Sequence, residues 1–244
     1  MDFNYKKPSH IFALIILIFT LFILVISPIL TYLKMLPSTG EVEINEYIML
    51  LSSIITVLIF LGTPFIWYIS VNRIKIKEML KRLKIKTKNI ENAALWGFIA
   101  TILMFTVVFL IGSIITYYGY TEEELSNIQD LARYVSMYSL LLIILIQSVG
   151  EEIFFRGFLL EKIGKLFDEK TAIIATAILF GLAHMSYAKI YTVAMTMTMG
   201  LFLGYIVYKT KNLFSSITAH LLFNLTSFLL YYFAQSFGIE ALIL

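Results

Sequence analysis

Three apolar stretches of this 244-residue chain each carry one polar cluster. The first reads Gln147-Ser148-Val149-Gly150-Glu151-Glu152-Ile153-Phe154-Phe155-Arg156, the second runs from Phe180 to His184, and the third from His220 to Asn224. An ionisable side chain at membrane depth costs at least a few kcal/mol, so its presence there marks function by default. Spacing separates the two glutamates. Glu152 and Arg156 are four residues apart, so on a helix they share a face and can pair. Glu151 lies about 100° further round and is not committed to that bridge, which leaves it to act as a general base. His220 and Asn224 are likewise one turn apart and project to the same side, and Phe180 sits one turn before His184 and can pack on its ring.

Chemistry follows by elimination. With no cysteine there is no thiolate nucleophile, Cys-ligated metal or disulfide. No H-E-x-x-H or G-x-S-x-G motif occurs, and no aspartate falls within an apolar stretch. A glutamate, two histidines and an amide remain. Glu151 is suited to deprotonate a water, with His184 assisting it or sharing a metal, while His220 and Asn224 are suited to donate hydrogen bonds to an oxyanion. Such a set hydrolyses an amide with water.

The elements that must position these groups are transmembrane helices. Hydrophobic residues make up 59% of the chain and charged residues 14%, and the mean hydropathy is +0.86. Soluble domains carry about 25% charge, and a fold of this size cannot hide so much apolar surface from water. Soluble enzymes, nucleic-acid binders and disordered regulators are thereby excluded. Apolar runs long enough to cross about 30 Å of hydrocarbon occupy residues 11–33, 47–71, 93–117, 134–160, 171–188, 190–208 and 214–233. An all-α bundle of about seven spans is expected, with 234–244 as a partial or interfacial helix. The run at 11–33 is too long for a signal-peptide core and no A-x-A-like site follows it, so it is expected to remain in place.

Lys and Arg cluster in alternate connections, above all in 72–89, where they face a single glutamate, Glu78. The positive-inside rule therefore predicts a cytosolic N-terminus and an external C-terminus. Ile74, Met79, Leu80 and Leu83 interleave with those basic residues, as expected of a segment lying on anionic headgroups. Trp67, Trp96, Tyr117, Tyr118, Tyr231 and Tyr232 read as interfacial anchors. Gly200 and Gly204 read as a close helix contact inside the bundle.

In this order and placement, Glu151-Glu152-x-x-x-Arg156, Phe180-x-x-x-His184 and His220-x-x-x-Asn224 resemble the three motifs of the CPBP intramembrane proteases, the family of CAAX proteases and bacteriocin-processing proteins. The resemblance covers roughly 134–233, so residues 134–244 are expected to form the catalytic core and 1–133 an N-terminal set of three helices. It implies an endopeptidase of the type II CAAX prenyl kind, with Glu151 and His184 activating water and His220 and Asn224 as oxyanion or ligand groups. Glu152, Arg156 and Phe180 take supporting roles. Zinc is the metal associated with the family, and Glu151, His184 and His220 are the ligands this chain offers. Implied partners are the bilayer and a prenylated or hydrophobic peptide, without nucleic acid. Size and Lys/Ile-rich composition point to a prokaryotic cell membrane. Two other classes compete: a non-catalytic immunity or scaffold protein of the same fold, and a proton-coupled transporter. The transporter lacks the expected pair of related halves.

Overall fold

A computed structural model describes residues 3–35, 45–119, 134–185 and 189–237. Among the described residues every regular element is helical. The helices are α1 (Pro8–Tyr32), α2 (Glu46–Ser70), α3 (Ile76–Arg82), α4 (Ile90–Tyr117), α5 (Met137–Leu166), α6 (Glu169–Ala183), α7 (Ile190–Thr210) and α8 (Phe214–Phe237). Local chemistry sets several starts. Pro8 opens α1, where its missing N–H is harmless. Asn45, Ser136 and Asp168 accept backbone N–H groups at the heads of α2, α5 and α6. Two helices change winding along their length, α1 at Phe22–Ile26 and α5 at Ile153–Leu159, where the backbone becomes π-helical. Residues 234–237 continue α8, and the rest of the expected tail helix lies outside the described residues.

Among the described residues six helices are long and apolar enough to cross a membrane, so this is a multi-pass integral membrane protein. The expected seventh crossing, at 171–188, is the 15-residue α6, which is only about 22 Å long. Its brevity is explained by α5. That helix runs for 30 residues, roughly 45 Å, and so overshoots the hydrocarbon. The turn at Phe167–Asp168 is therefore beyond the apolar layer, and α6 begins there. Glu151 and His184 stand at nearly equal chain distances from that turn, one on each arm of the hairpin. A helix that starts outside the membrane thus brings His184 level with Glu151, which counting from an assumed membrane edge could not show.

Both ends of the bundle are tied. On the basic face Leu213 donates its N–H to the Lys84 carbonyl at 2.9 Å. Asn212 donates from Nδ2 to the carbonyls of Lys86 and Lys88 at 3.2 and 3.3 Å, and Lys211 meets Glu169 at 2.8 Å. On the opposite face Ser136 Oγ donates to Glu46 at 2.6 Å. Between these ends α5 is central, packing against α2, α6 and α8, while α6 runs along α7 and α8 along α4. The basic connection is not simply laid on lipid. Leu83 is buried, and Ile74 and Met79 pack on the aromatic core around Phe154, Phe155 and Phe158. Trp67 belongs to that core too, between Phe3 and Phe158, and Tyr231 is buried, so neither is an interfacial anchor. Burying these large rings removes more apolar surface from contact with lipid and water than the interface offers them in return.

The Gly200–Gly204 stripe faces α6. A Cβ on Gly200 would lie 2.9 Å from the Cα of Ala177, and one on Gly204 would lie 3.1 Å from the Ile173 side chain. Because the first contact is backbone, only separation of the helices relieves it. Gly200→Val is expected to destabilise the protein by about 1–3 kcal/mol and to lower its melting temperature in detergent. An unchanged melting temperature would mean that α6 and α7 are not so tightly apposed.

Candidate active site

The three polar clusters converge on the middle of α5. Glu152 closes the α-helical part of that helix, and Arg156 follows within the π-helical segment. Both are fully buried, with Arg156 Nη1 donating to Glu152 Oε1 at 2.9 Å. The pairing expected from their spacing is present, though at a depth where each charge depends on the other. Glu152 has a second task that spacing on one helix could not reveal. Its Oε1 also accepts Nδ1–H of His220 from α8, at 2.9 Å.

That bond determines which nitrogen of His220 faces the site. A carboxylate only accepts, so Nδ1 carries the hydrogen and Nε2 is the nitrogen left to face the site. His220 Nε2 then points at Glu151 Oε2, 3.9 Å away. His184 is held in a similar way. Its Nδ1 lies 2.8 Å from the carbonyl of Phe180 and must donate to it, which fixes the ring's orientation. His184 also lies within electrostatic range of Glu151, His220 and Arg156. Glu151, with its side chain 14% exposed, is more accessible than the sealed Glu152.

Phe180 does more than pack on His184. Its ring meets His184 at 4.7 Å and His220 at 5.8 Å between centroids, both edge-on, and the Arg156 guanidinium lies 4.1 Å over its centroid. One aromatic ring thus touches all three motifs. The cation–π contact also explains how Arg156 can be buried with Nε and Nη2 lacking hydrogen-bond partners among the described residues. Asn224 takes a different neighbour from His220, donating from Nδ2 to Ser148 Oγ at 3.0 Å. Both side chains face α5, but they reach different residues on it. Ser148 is buried, one turn before Glu152, and stood in the sequence without a signal beyond its depth. The π-helical winding of Ile153–Leu159 had no sequence signal either, although such segments are frequent at functional sites.

Among the described residues no three His, Cys, Asp or Glu side chains form a group that could hold a metal ion. Glu151 and His220 approach one another, but His184 does not complete a three-ligand site with them, so the arrangement does not fit the usual catalytic zinc centre.

The fold is thus a multi-pass helical bundle that brings a Glu/His/Asn cluster together in its interior, with Glu152 and His220 buried and Glu151 partly accessible. Within this bundle residues 133–226 match the family model described as Type II CAAX prenyl endopeptidase Rce1-like. The matched segment contains all three motifs and omits α1 to α4, which bears out the resemblance drawn from the motifs. No curated protein and no solved structure matches the chain.

Proposed function

We propose that this protein is an intramembrane endopeptidase that hydrolyses a peptide bond in a prenylated CAAX-type or otherwise hydrophobic peptide, close to its basic, cytosolic face. The observation that carries the reading is the pairing of Glu151 with His220, whose tautomer is held by Glu152. Glu151 Oε2 and His220 Nε2 stand 3.9 Å apart, too far for a direct hydrogen bond and close enough for one water to bridge them. Glu151 can then take a proton from a water held there.

In the reaction, Glu151 accepts a proton from water while the oxygen attacks the carbonyl carbon of the scissile bond. His184, oriented through its Nδ1, assists this transfer. The tetrahedral oxyanion takes a hydrogen bond from Asn224 Nδ2, which carries a second hydrogen beyond the one given to Ser148. Collapse returns the carbonyl, and the proton held by Glu151 passes to the departing amine. The products are one peptide ending in a carboxylate and one beginning with an amine. The excess of Lys and Arg in the 72–89 connection supports a cytosolic N-terminus and hence chemistry on the cytosolic side of a prokaryotic membrane.

The test is cleavage by the purified protein in detergent, offered a quenched prenylated CAAX peptide and several hydrophobic leader peptides, with and without a zinc chelator. Cleavage is expected, and it is expected to survive the chelator. Failure to cut any of them would favour a non-catalytic immunity or scaffold role, and chelator sensitivity would return zinc to the mechanism. Asn224→Ala should reduce kcat by roughly 10²–10³ with little change in KM, as for loss of an oxyanion donor. An effect confined to KM would place Asn224 in substrate binding instead.

A further inference from the structure

An apolar groove of about 370 Å³ opens between α2 and the basic connection, away from the polar cluster. Leu58, Gly62 and Phe65 of α2 form one wall, Leu80 and Leu83 the other, and Ile153 at the start of the π-helical segment lies between them. Gly62 makes the recess, since a Cβ built there would meet nothing within 4 Å. Leu58, Phe65 and Leu80 remain substantially exposed, so the groove is open to the surrounding lipid.

The connection that supplies one wall of this groove is strongly charged. Between Arg73 and Lys88 the chain carries eight Lys or Arg against one Glu, and that Glu78 reaches only Lys81 and Arg82, at 3.9 and 3.7 Å, among the described residues. Along α3 the exposed Ile76 and Leu80 form an apolar edge one turn apart, with Lys77 and Lys81 beside them at the same spacing. A short helix with a lipid-facing edge and a row of ammonium groups next to it belongs at headgroup level.

We propose that this groove binds one anionic phospholipid, with an acyl chain lying along Gly62 and the headgroup held by Lys77 and Lys81. Charge decides the occupant. A neutral lipid or an isoprenoid chain uses the apolar walls but gains nothing from the lysines, whereas an anionic headgroup gains about fivefold in affinity from each. The proposal does not rest on the peptidase reading, because none of its residues belongs to the polar cluster. It does connect to that cluster physically. Ile153 follows Glu152 directly, so an occupied groove buttresses the segment that carries Arg156.

The test is native mass spectrometry of the full chain in detergent with equal amounts of phosphatidylglycerol and phosphatidylcholine bearing identical acyl chains. A preferential phosphatidylglycerol adduct is expected. The double variant Lys77→Gln/Lys81→Gln should weaken that preference by more than about tenfold. Gly62→Trp, which meets open space, should fold with an unchanged circular dichroism spectrum and lose the adduct. Equal retention of the two lipids overturns the proposal, as does an undiminished adduct in a folded Gly62→Trp protein. Displacement of the phospholipid by S-farnesylcysteine, without headgroup preference, would also overturn it and give the groove to an isoprenoid chain.

Discussion

Glu151→Gln is expected to lose roughly 10²–10⁴ in turnover, the range contributed by a positioned general base, while leaving the protein folded. The geometry separates these two outcomes. Glu151 is partly exposed and meets His220 only at 3.9 Å, whereas the bonds that hold the cluster together, Arg156 to Glu152 and His220 to Glu152, do not involve it. Glutamine keeps the volume and one carbonyl oxygen but cannot accept a water proton. The melting temperature in detergent should therefore match the parent while cleavage of the responsive peptide falls to near background. Undiminished cleavage would remove Glu151 from the mechanism. A fall in melting temperature matching the loss of turnover would show a structural role instead.

Arg156→Ala should produce the opposite pattern. With the guanidinium gone, Glu152 is left as a fully buried carboxylate that still accepts from His220 but has lost its countercharge on α5. Removing one member of a buried ion pair costs about 3–5 kcal/mol, because the other charge stays desolvated. Phe180 also loses the cation stacked 4.1 Å over its ring. A large drop in thermal stability is expected, with activity lost alongside. The double variant Glu152→Leu/Arg156→Met distinguishes stability from mechanism. Replacing both charges by apolar groups should restore part of the lost stability, since an apolar pair needs no desolvation. Turnover should stay low, because His220 Nδ1 no longer has the carboxylate that orients Nε2 toward Glu151. If Arg156→Ala melts with the parent, the pair contributes nothing to the fold and the assignment fails.

Much of this protein was legible in its residues, for reasons that depend only on neighbours along one helix. Hydropathy runs reveal membrane helices because each span must satisfy its own backbone hydrogen bonds within apolar side chains. The i, i+4 spacing of Glu152 and Arg156 reveals their pairing because both lie on one rigid helix. Gly200 and Gly204 marked a close helix contact because nothing larger fits there. The length of α6 was not legible, since the run at 171–188 is predominantly apolar and its effective start depends on how far α5 extends. Nor could hydropathy place Trp67, which is amphipathic enough for the interface but is enclosed by Phe3 and Phe158.

The site divides along the same line. Residue types and spacing alone determined a multi-pass helical protein with Glu151, Glu152, Arg156, His184, His220 and Asn224 as its polar elements and Phe180 packed beside His184. Only the tertiary structure decided who meets whom. Glu152 serves Arg156 on its own helix and His220 on another, Phe180 touches both histidines and the guanidinium, and Asn224 turns to Ser148 rather than to the partner of His220. Periodicity gives the direction of a side chain around its own axis. Contacts between helices depend also on their relative rotation, height and tilt, which arise from the packing of the whole bundle.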